Sequence, residues 1–391
     1  MKKFSKRIYL DYAASATPNP SSIHLSGVEE KNKLQDARRR VADILGARPG
    51  EVIFTSGGTE SNNLAIQGVV LAWHKKSKDK ILPHIIMTNI EHPSALETGK
   101  MLAQRKLAEV SVVPVEAIGI VDPKKIKKAF RPSTVLVSVM YANNEIGTIQ
   151  PIKEIAREIR HYKKSRAKSL APSAYPIFHT DAVQAANYLD LNVEKLGVDL
   201  LSLSGSKIEG AGRVGVLYKK RIVLLENIFG GGDQEMGLRP GTENLPEILK
   251  FSNALQSVQK TKEKETKRLI RLRDYFINKL QHSDILKNVG MFFNGDLENR
   301  LPNSVNITIP KIPSDLLVIE LSARGIMVSS KSACESSKPG GSYVIKAIHS
   351  ELDSEIGGLR FSMGQRTTRK NIDYTVKTLS EILTKLKKWY N

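Results

Sequence analysis

Residues 134–147, TVLVSVMYANNEIG, combine an apolar run with a polar end in a pattern that indicates the fold class. The run TVLVSVMYA is rich in β-branched and apolar side chains and predicts a buried strand, and the polar residues after it predict a loop at its carboxyl end. The same pattern recurs at residues 51–54, 84–90, 176–182, 199–204 and 213–218. Amphipathic helical patterns stand between strands, for example at residues 62–76 and 151–164. This alternation predicts an α/β fold with a mainly parallel sheet covered by helices on both faces.

Downstream of about residue 245 the pattern changes. A long charged helix is predicted over residues 262–281, a strand over 304–309 and a closing helix over 371–390, which together indicate a smaller α+β domain. Residues 163–176, KKSRAKSLAPSAYP, predict a basic surface loop. We therefore expect two domains, a large one over residues 15–245 and a small one made of residues 1–14 and 246–391.

Bulk composition narrows the functions that are open to the chain. Of its 391 residues 40% are hydrophobic and 26% are charged, which is typical of a folded globular protein, and no apolar run is long enough to span a bilayer. The basic N-terminal stretch has an apolar part that is too short for a signal peptide and is broken by Asp11. One cysteine fits a reducing compartment and excludes a multi-cysteine metal site within one chain. We expect a cytoplasmic protein without a bound metal.

The net charge of +20 is the most unusual bulk property. Such a charge favours anionic ligands and partners. The lysine clusters are short, however, and none is interleaved with aromatic residues as in a nucleic-acid platform. We interpret the charge as lysines spread over solvated faces, and we expect neither direct nucleic-acid binding nor membrane association.

Lys207 follows the predicted strand 199–204, in the sequence SGSK. A lysine among small residues at a strand end can be desolvated enough to become nucleophilic. Ser204 and Ser206 offer hydroxyl and amide donors to an anion. An ordinary solvated lysine gives the same pattern and is the commoner case.

Polar residues after two other strands also have two interpretations. In TSGGTESNN, Gly58 and Thr59 stand where amides at a helix N-terminus can bind a phosphate, although an ordinary N-cap looks the same. In HTDAVQ, Asp181 in line with a buried strand needs a cation or strong donors, such as a pyridinium nitrogen. Gln184 then stands where it can donate to a ring phenolate oxygen. A lone aspartate is otherwise a turn or cap residue.

Four further residues have side chains suited to chemistry. His92 can stack on an aromatic ring and transfer protons, or is simply a loop residue before a proline. Asn144 suits a contact to a ring oxygen or an Asx turn. Arg360, in LRFSMG, needs a carboxylate from the protein or from an amino-acid substrate. Cys334 has serine, lysine and glycine neighbours, which indicate an exposed thiol rather than the buried, inert one that a lone cysteine usually is.

In their order and spacing, these motifs resemble those of the cysteine desulfurases, most closely the NifS/IscS-like group in the class V branch of fold-type-I pyridoxal phosphate (PLP) enzymes. The resemblance extends from about Tyr9 to the final helix and rests on YLDYAA, NPSSIH, TSGGTESNN, EHPSALET, YANNEIG, HTDAVQ, SGSK, GLRPGTEN, SSKSACES and LRFSMG. It implies a PLP-dependent transferase of fold type I with a seven-stranded, mainly parallel sheet in its large domain. The implied reaction converts L-cysteine to L-alanine and leaves the sulfur on an enzyme cysteine as a persulfide.

The resemblance also implies a role for each candidate residue. Lys207 matches the Schiff-base lysine, which also removes the Cα proton, and Cys334 matches the sulfur-accepting nucleophile. His92 matches the stacking acid–base residue, and Arg360 with Asn144 matches the substrate site. The implied PLP contacts are Gly58, Thr59, His92, Asn144, Asp181, Gln184, Ser204, Ser206 and Lys207, with Thr242 supplied by the neighbouring subunit of a homodimer.

The resemblance leaves several functions open. The sulfur acceptor that it implies is a protein of iron–sulfur cluster assembly or of tRNA thiolation. Alternatives are a selenocysteine lyase or another PLP-dependent β-elimination enzyme, and a non-catalytic scaffold that kept the fold.

The sequence departs from the family pattern at four places. Ser206 stands where a histidine is usual, and we expect weaker PLP binding. Lys331 replaces a small glycine three residues before Cys334, and its charge predicts a lowered thiol pKa. Met236 stands where an arginine is common, and the stretch between DYAASATP and NPSSIH is shorter by about one helix. We expect these last two differences to alter substrate access or subunit contacts.

Overall fold

The computed structural model describes residues 7–77, 81–166, 175–331, 341–352 and 357–390. Its strands are β1 (Val52–Thr55), β2 (His84–Thr88), β3 (Glu109–Val113), β4 (Thr134–Ser138), β5 (Ile177–Asp181), β6 (Leu200–Ser204), β7 (Gly215–Lys219), β8 (Phe292–Phe293), β9 (Ser304–Thr308) and β10 (Leu359–Ser362). Its helices are α1 (Leu25–Leu45), α2 (Gly58–Lys76), α3 (Pro93–Gln104), α4 (Pro123–Lys128), α5 (Ile152–Arg166), α6 (Val193–Leu196), α7 (Leu245–Gln281), α8 (Asp284–Asn288), α9 (Ser314–Ser322), α10 (Tyr343–Ile348) and α11 (Arg369–Tyr390).

Seven strands form one sheet in the order β1-β7-β6-β5-β4-β2-β3. The pairs among β2 to β6 are parallel, whereas β7 is antiparallel to both β6 and β1. Strand β1 therefore runs in the same direction as the others, so that six strands end at one edge. The predicted seven-stranded, mainly parallel sheet is confirmed. Strand β3 is absent from the sequence predictions, because it lies at the sheet edge and four of its five side chains are partly or fully exposed.

Successive side chains of the sheet point into two different cores, one on each face. Ile53 and Ile85 belong to a core that includes residues of α2 and α3. Phe54 and Ile86 belong to the opposite core, which includes residues of α1, α5 and the first part of α7. Because both faces are covered, β2, β4, β5 and β6 are completely buried. This is why these strands appear in the sequence as continuous apolar runs.

A second, three-stranded antiparallel sheet has the order β10-β9-β8 and its own core. Helix α7 contributes to two of these cores. Phe251 belongs to the core of the large sheet that includes α1 and α5, and Phe276 belongs to the core of the three-stranded sheet. The predicted helix over residues 262–281 is confirmed, but it begins earlier, at Leu245. One uninterrupted helix thus joins the core of the large sheet to the core of the three-stranded sheet. The domain bounds expected from the sequence stay a prediction.

The surface loop expected over residues 163–176 is wrong in its first part. Helix α5 continues to Arg166. Its last turns are held by Tyr162, whose ring stacks on Phe130 at 4.4 Å and whose hydroxyl donates to the Arg131 carbonyl at 2.8 Å. Residues 167–174 lie outside the described part of the chain.

Candidate active site

The loops that follow five strands of the large sheet form a cavity of about 520 Å³. These are the loops after β1, β2, β4, β5 and β6, and β10 of the second sheet supplies the opposite wall. The cavity is lined by Gly58, Thr59, Asn62, His92, Ser94, Met140, Asn144, Asp181, Val183, Gln184, Asn187, Tyr188, Ser204, Ser206, Lys207, Asn303, Arg360 and Ser362. Ten of the twelve site residues predicted from the sequence are in this set, so residues far apart in the chain share one cavity.

Lys207 is the last residue of a 3₁₀ turn, Gly205–Lys207, that directly follows β6. The turn packs closely against the main chain of Gly212, because a Cβ at Gly205 would approach the Gly212 carbonyl oxygen to 2.7 Å. The carbonyl of Lys207 accepts a hydrogen bond from Asn187 Nδ2 at 2.7 Å. The main chain of Lys207 is therefore fixed, while its side chain lines the cavity.

Hydroxyl groups and a helix N-terminus lie together where α2 begins. Gly58 is the first residue of α2, and a Cβ there would lie 2.9 Å from Val183 Cγ2 and 3.3 Å from Ser204 Cβ. The Ser204 and Ser206 hydroxyls hydrogen-bond to each other at 2.9 Å. Free amides at a helix N-terminus, with hydroxyl donors beside them and no side chain in the way, fit a phosphate group.

Asp181 ends β5 and is only 5% exposed. Its Oδ1 accepts from the Val183 amide at 3.0 Å, and its Oδ2 accepts from Asn62 Nδ2 at 2.7 Å. His179, two residues earlier on the strand, is neutral, since burial lowers its pKa to about 3. No ion pair to Asp181 occurs within the described residues, so its carboxylate is suited to a cationic ring nitrogen.

His92 is the N-cap residue of α3. Its Nδ1 accepts from the Ser94 amide at 3.1 Å and lies 2.8 Å from the Ser94 hydroxyl. The ring is therefore positioned by its own helix terminus. It lines the cavity together with Asp181 and Lys207.

The wall of the cavity that β10 and the loop after β4 form contains Arg360 and Asn144. Arg360 is on β10 and its Nη1 donates to the Asn144 carbonyl at 2.9 Å. Burial lowers the pKa of the Arg360 guanidinium, and the nearby Glu145 carboxylate opposes that shift. Asn144 Oδ1 is buried and has no hydrogen-bond partner within the described residues. A buried guanidinium and an unpaired amide oxygen suit an amino acid, whose carboxylate accepts and whose ammonium donates.

Two predicted site residues are not part of this cavity. Thr242 is exposed in the segment before α7, so its expected contact to a neighbouring subunit stays a prediction. Cys334 lies outside the described residues. Lys331 is described and is buried, at 9% exposure.

The structure adds residues that sequence reasoning missed. Asn62 and Ser94 are inside motifs that were recognised, TSGGTESNN and EHPSALET, but their side chains gave no separate signal. Asn187 and Asn303 had no signal at all, because neither is in a recognised motif. Their positions follow from packing across the cavity.

The cavity fits PLP by its own chemistry. It has a carboxylate for the pyridinium nitrogen, a cradle for the phosphate and a lysine amine for the aldehyde. No group of three or more metal-ligating side chains occurs among the described residues, and in that part of the chain no helix combines the length and apolarity needed to cross a membrane. The fold and the cavity define a fold-type-I PLP enzyme.

Comparison with known proteins gives a consistent answer. The family model for aminotransferase class V matches residues 4–375. The cysteine desulfurase IscS of Dictyoglomus turgidum is 39% identical over 402 residues, covering 98% of this chain and 96% of that protein. IscS of Methanosarcina thermophila is also 39% identical, covering 97% and 88%. A solved NifS-like protein superposes with a TM-score of 0.82 at 33% identity, covering 94% of this chain and 91% of that one. The chain therefore belongs to the aminotransferase class-V family and, within it, to the PLP-dependent cysteine desulfurases.

Proposed function

We propose that this enzyme converts L-cysteine to L-alanine and retains the sulfur as a persulfide on Cys334. The observation that carries the proposal is the meeting of Lys207, Asp181, His92 and Arg360 in one cavity. These four side chains supply an amine nucleophile, a ring partner, an acid–base group and a carboxylate clamp. A non-catalytic scaffold has no need for that combination.

Each end of the cofactor has a distinct binding site in the proposal. Gly58, Thr59, Ser204 and Ser206 would hold the phosphate, and Thr242 of a second subunit would complete that site. Asp181 would hold the ring nitrogen in its protonated form, while Gln184 and Asn144 would contact the ring oxygen. The bound cofactor would supply an electron sink for the bond that breaks at the substrate Cα.

The remaining steps are performed by side chains of this chain. Arg360 binds the substrate carboxylate and orients Cα towards Lys207, whose Nζ takes the Cα proton. The Cys334 thiolate attacks the substrate sulfur, so that an S–S bond forms while the Cβ–S bond breaks. One proton then adds to Cβ and another to Cα, replacing the protons given up by Cα and by the Cys334 thiol, and alanine leaves. The balance is one cysteine and one enzyme thiol in, and one alanine and one enzyme persulfide out.

The proposal extends to the partner of the reaction. We propose that a protein of iron–sulfur cluster assembly or of tRNA thiolation takes the sulfur from Cys334. The relatives named IscS support this direction. A reducing cytoplasm is the proposed location, because Cys334 has to return to the free thiol after each turnover.

A homodimer is part of the same proposal. The N-terminal segment and the start of α1 expose large apolar side chains, which are costly to leave in water over a contiguous surface. They are Ile8, Leu10, Ile23 and Leu25, with exposures of 77%, 88%, 98% and 71%. The segment with Thr242 is the second part of the proposed subunit contact. A buried ion pair between Arg38 and Glu235, at 2.6 Å, fixes the chain seven residues before Thr242.

The first experiment compares the visible spectrum and alanine release of the wild type with those of Lys207→Ala. We expect the wild type to bind PLP with a visible absorption band that borohydride removes, and to release alanine from L-cysteine in the presence of a thiol reductant. Lys207→Ala should do neither. Lys219→Ala, a partly buried lysine of β7 outside the cavity, is the matched control. A wild type that stays colourless after incubation with PLP contradicts the proposal.

A second variant separates the desulfurase from a lyase. Cys334→Ala should lose alanine release from L-cysteine. Retained turnover of selenocysteine by this variant indicates that the site can also act by β-elimination, whereas undiminished turnover of L-cysteine contradicts the proposed sulfur transfer to Cys334.

A further inference from the structure

A chain of hydrogen bonds links Asp181 to His92 across the floor of the cavity. Asn62 Nδ2 lies 2.7 Å from Asp181 Oδ2 and 2.8 Å from Ser94 Oγ. Ser94 Oγ in turn lies 2.8 Å from His92 Nδ1. Asn62 is 1% exposed and Asp181 is 5% exposed, so the first link is shielded from water.

The donors and acceptors of this chain are fixed by chemistry. An ionised carboxylate only accepts, so the Asn62 atom that faces Asp181 is the NH₂ group. The second N–H of that group is donated to Ser94 Oγ. The opposite orientation of the amide would place its oxygen against the Asp181 carboxylate. The orientation adopted leaves Asn62 Oδ1 buried and without a partner among the described residues.

The protonation of His92 follows from the same chain. Ser94 Oγ accepts from Asn62 and lies 2.8 Å from His92 Nδ1, so its single hydrogen is available to that ring nitrogen. The Ser94 backbone amide, which can only donate, also points at Nδ1, at 3.1 Å. Two donors meet at one ring nitrogen, so Nδ1 carries the lone pair and the proton of the neutral ring is on Nε2.

We propose that Asn62 and Ser94 are positioning residues that hold His92 as the Nε2–H tautomer and couple its orientation to the Asp181 carboxylate. The inference deepens the proposed function, since it names what sets the proton of the acid–base residue. Asp181 orients Asn62, Asn62 orients the Ser94 hydroxyl, and that hydroxyl selects the tautomer of His92. The ring is then presented with one defined proton rather than a mixture of two forms.

The direct test is the tautomer of His92 in the apoenzyme. Long-range ¹H–¹⁵N spectra of protein labelled at its histidines report which ring nitrogen is protonated, and the His92 signal is assigned by its loss in His92→Gln. We expect the Nε2–H form alone in the wild type. Ser94→Ala and Asn62→Leu should give a mixture of tautomers, and Ser94→Thr, which keeps the hydroxyl, should restore the wild-type signal.

Thr98→Val is the matched control. The Thr98 hydroxyl lies 2.8 Å from the Ser94 carbonyl and 2.9 Å from Asn63 Oδ1, so the substitution removes partly buried hydrogen bonding next to the chain of hydrogen bonds without breaking that chain. We expect the wild-type tautomer in this variant. A Ser94→Ala protein that keeps the pure Nε2–H form, or a Thr98→Val protein that becomes mixed, overturns the proposal.

A kinetic readout accompanies the spectra in the PLP-loaded enzyme. For Ser94→Ala we expect kcat to fall by about tenfold, a fraction of the full acid–base contribution, with KM for L-cysteine changed by less than about twofold. A change in KM with kcat unaltered contradicts positioning of His92. Because the tautomer is measured without PLP or substrate, an inactive wild type would contradict the proposed function and leave the tautomer test valid.

Discussion

The Ser342 hydroxyl donates to Glu145 Oε2 at 2.5 Å, which ties the start of α10 to the loop that carries Asn144. One residue later, the Tyr343 hydroxyl donates to the carbonyl of Glu91 at 2.5 Å, next to His92. Helix α10 follows the segment that contains Cys334. The chain that follows the segment with Cys334 is therefore held to the two loops that carry His92 and Asn144.

Ser342→Ala should lower the free energy of unfolding by more than the removal of an exposed hydroxyl does. The hydroxyl also caps α10 by accepting from the Val344 amide, so the variant loses a cap worth about 1 kcal/mol. It also leaves the buried Glu145 carboxylate without that donor, which costs about 1–3 kcal/mol. Urea unfolding of the apoenzyme should show a loss of roughly 2–4 kcal/mol. The control Thr384→Ala, which removes an exposed hydroxyl of α11, should change stability by less than about 0.5 kcal/mol. If Ser342→Ala lost no more stability than this control, the bond between Ser342 and Glu145 would not be stabilising the protein.

Tyr343→Phe should separate sulfur transfer from cofactor binding. The substitution removes the bond to the Glu91 carbonyl and keeps the ring. We expect the affinity for PLP to stay within about twofold of wild type, because Tyr343 does not line the cavity. The rate of persulfide formation should fall several-fold, since one anchor of the chain beyond Cys334 is lost. Stopped reactions analysed by mass spectrometry measure the rate of persulfide formation. Tyr374→Phe, which changes an exposed tyrosine, is the control. An equal fall in the rate in both variants would argue against a specific role for Tyr343.

Glu91 should make folding stability fall as pH rises. Burial raises the pKa of its carboxyl to about 8, although the Thr88 hydroxyl and the Met140 amide both donate to it. Between the unfolded pKa near 4.5 and the folded value near 8, the unfolded chain has lost this proton and the folded chain has kept it. Unfolding is therefore favoured progressively across that window.

The variant Glu91→Gln has no carboxyl to titrate and tests this prediction. Its stability relative to wild type should increase by roughly 2–4 kcal/mol between pH 5 and pH 8. Glu97→Gln, on the exposed face of α3, serves as the control and should show no such trend. A constant difference between Glu91→Gln and wild type over this range would show that Glu91 is ionised in the folded protein.

Gly58→Ala should weaken PLP binding at the phosphate end. The new Cβ would lie 2.9 Å from Val183 Cγ2 and 3.3 Å from Ser204 Cβ, within the proposed cradle. We expect the dissociation constant for PLP to rise by tenfold or more, about 1.4 kcal/mol, because a displaced Ser204 no longer donates well. Gly57→Ala is the matched control, since its Cβ would meet nothing within 4 Å. Fluorescence titration of the apoenzymes gives both constants, and equal effects at the two glycines would place the phosphate elsewhere.

Ser206→His should strengthen PLP binding, if the family's usual residue is an additional phosphate ligand. Ser206 now bonds to Ser204 and is exposed to the cavity, so a larger side chain has room. We expect the dissociation constant for PLP to fall several-fold in Ser206→His and to rise modestly in Ser206→Ala. The same titration measures both, and weaker binding in Ser206→His would show that the serine is the better fit here.

Much of the fold and site could be predicted from the sequence for a physical reason. Strands buried on both faces give continuous apolar runs, and parallel strands deliver their carboxyl ends to one edge, so the motifs after β1, β2, β4, β5 and β6 had to meet. The half-exposed β3 gave no such run. The early start of α7 was hidden because its first turns pack on a different core from its last turns.

Contacts between distant segments could not be predicted from one sequence. Asn62 and Ser94 become informative only when β5 and the start of α3 are placed side by side, and the bond from Ser342 to Glu145 joins residues that are 197 positions apart, just over half of the chain. Asn303 reaches the cavity from beyond Arg300, in the part of the chain that builds the second sheet. Motifs identify which residues react, whereas packing decides which residues hold them.

Sulfur transfer to Cys334 is measured by the mass of the intact protein after the PLP-loaded enzyme reacts with L-cysteine in the absence of a reductant. Cys334 is the only cysteine of the chain, so a persulfide can form at no other position. We expect one added sulfur atom per subunit, removable by a thiol reductant, mapped to the peptide with Cys334 and matched by one alanine released. Alanine formed without added sulfur, or sulfur added to the Lys207→Ala variant, would contradict it.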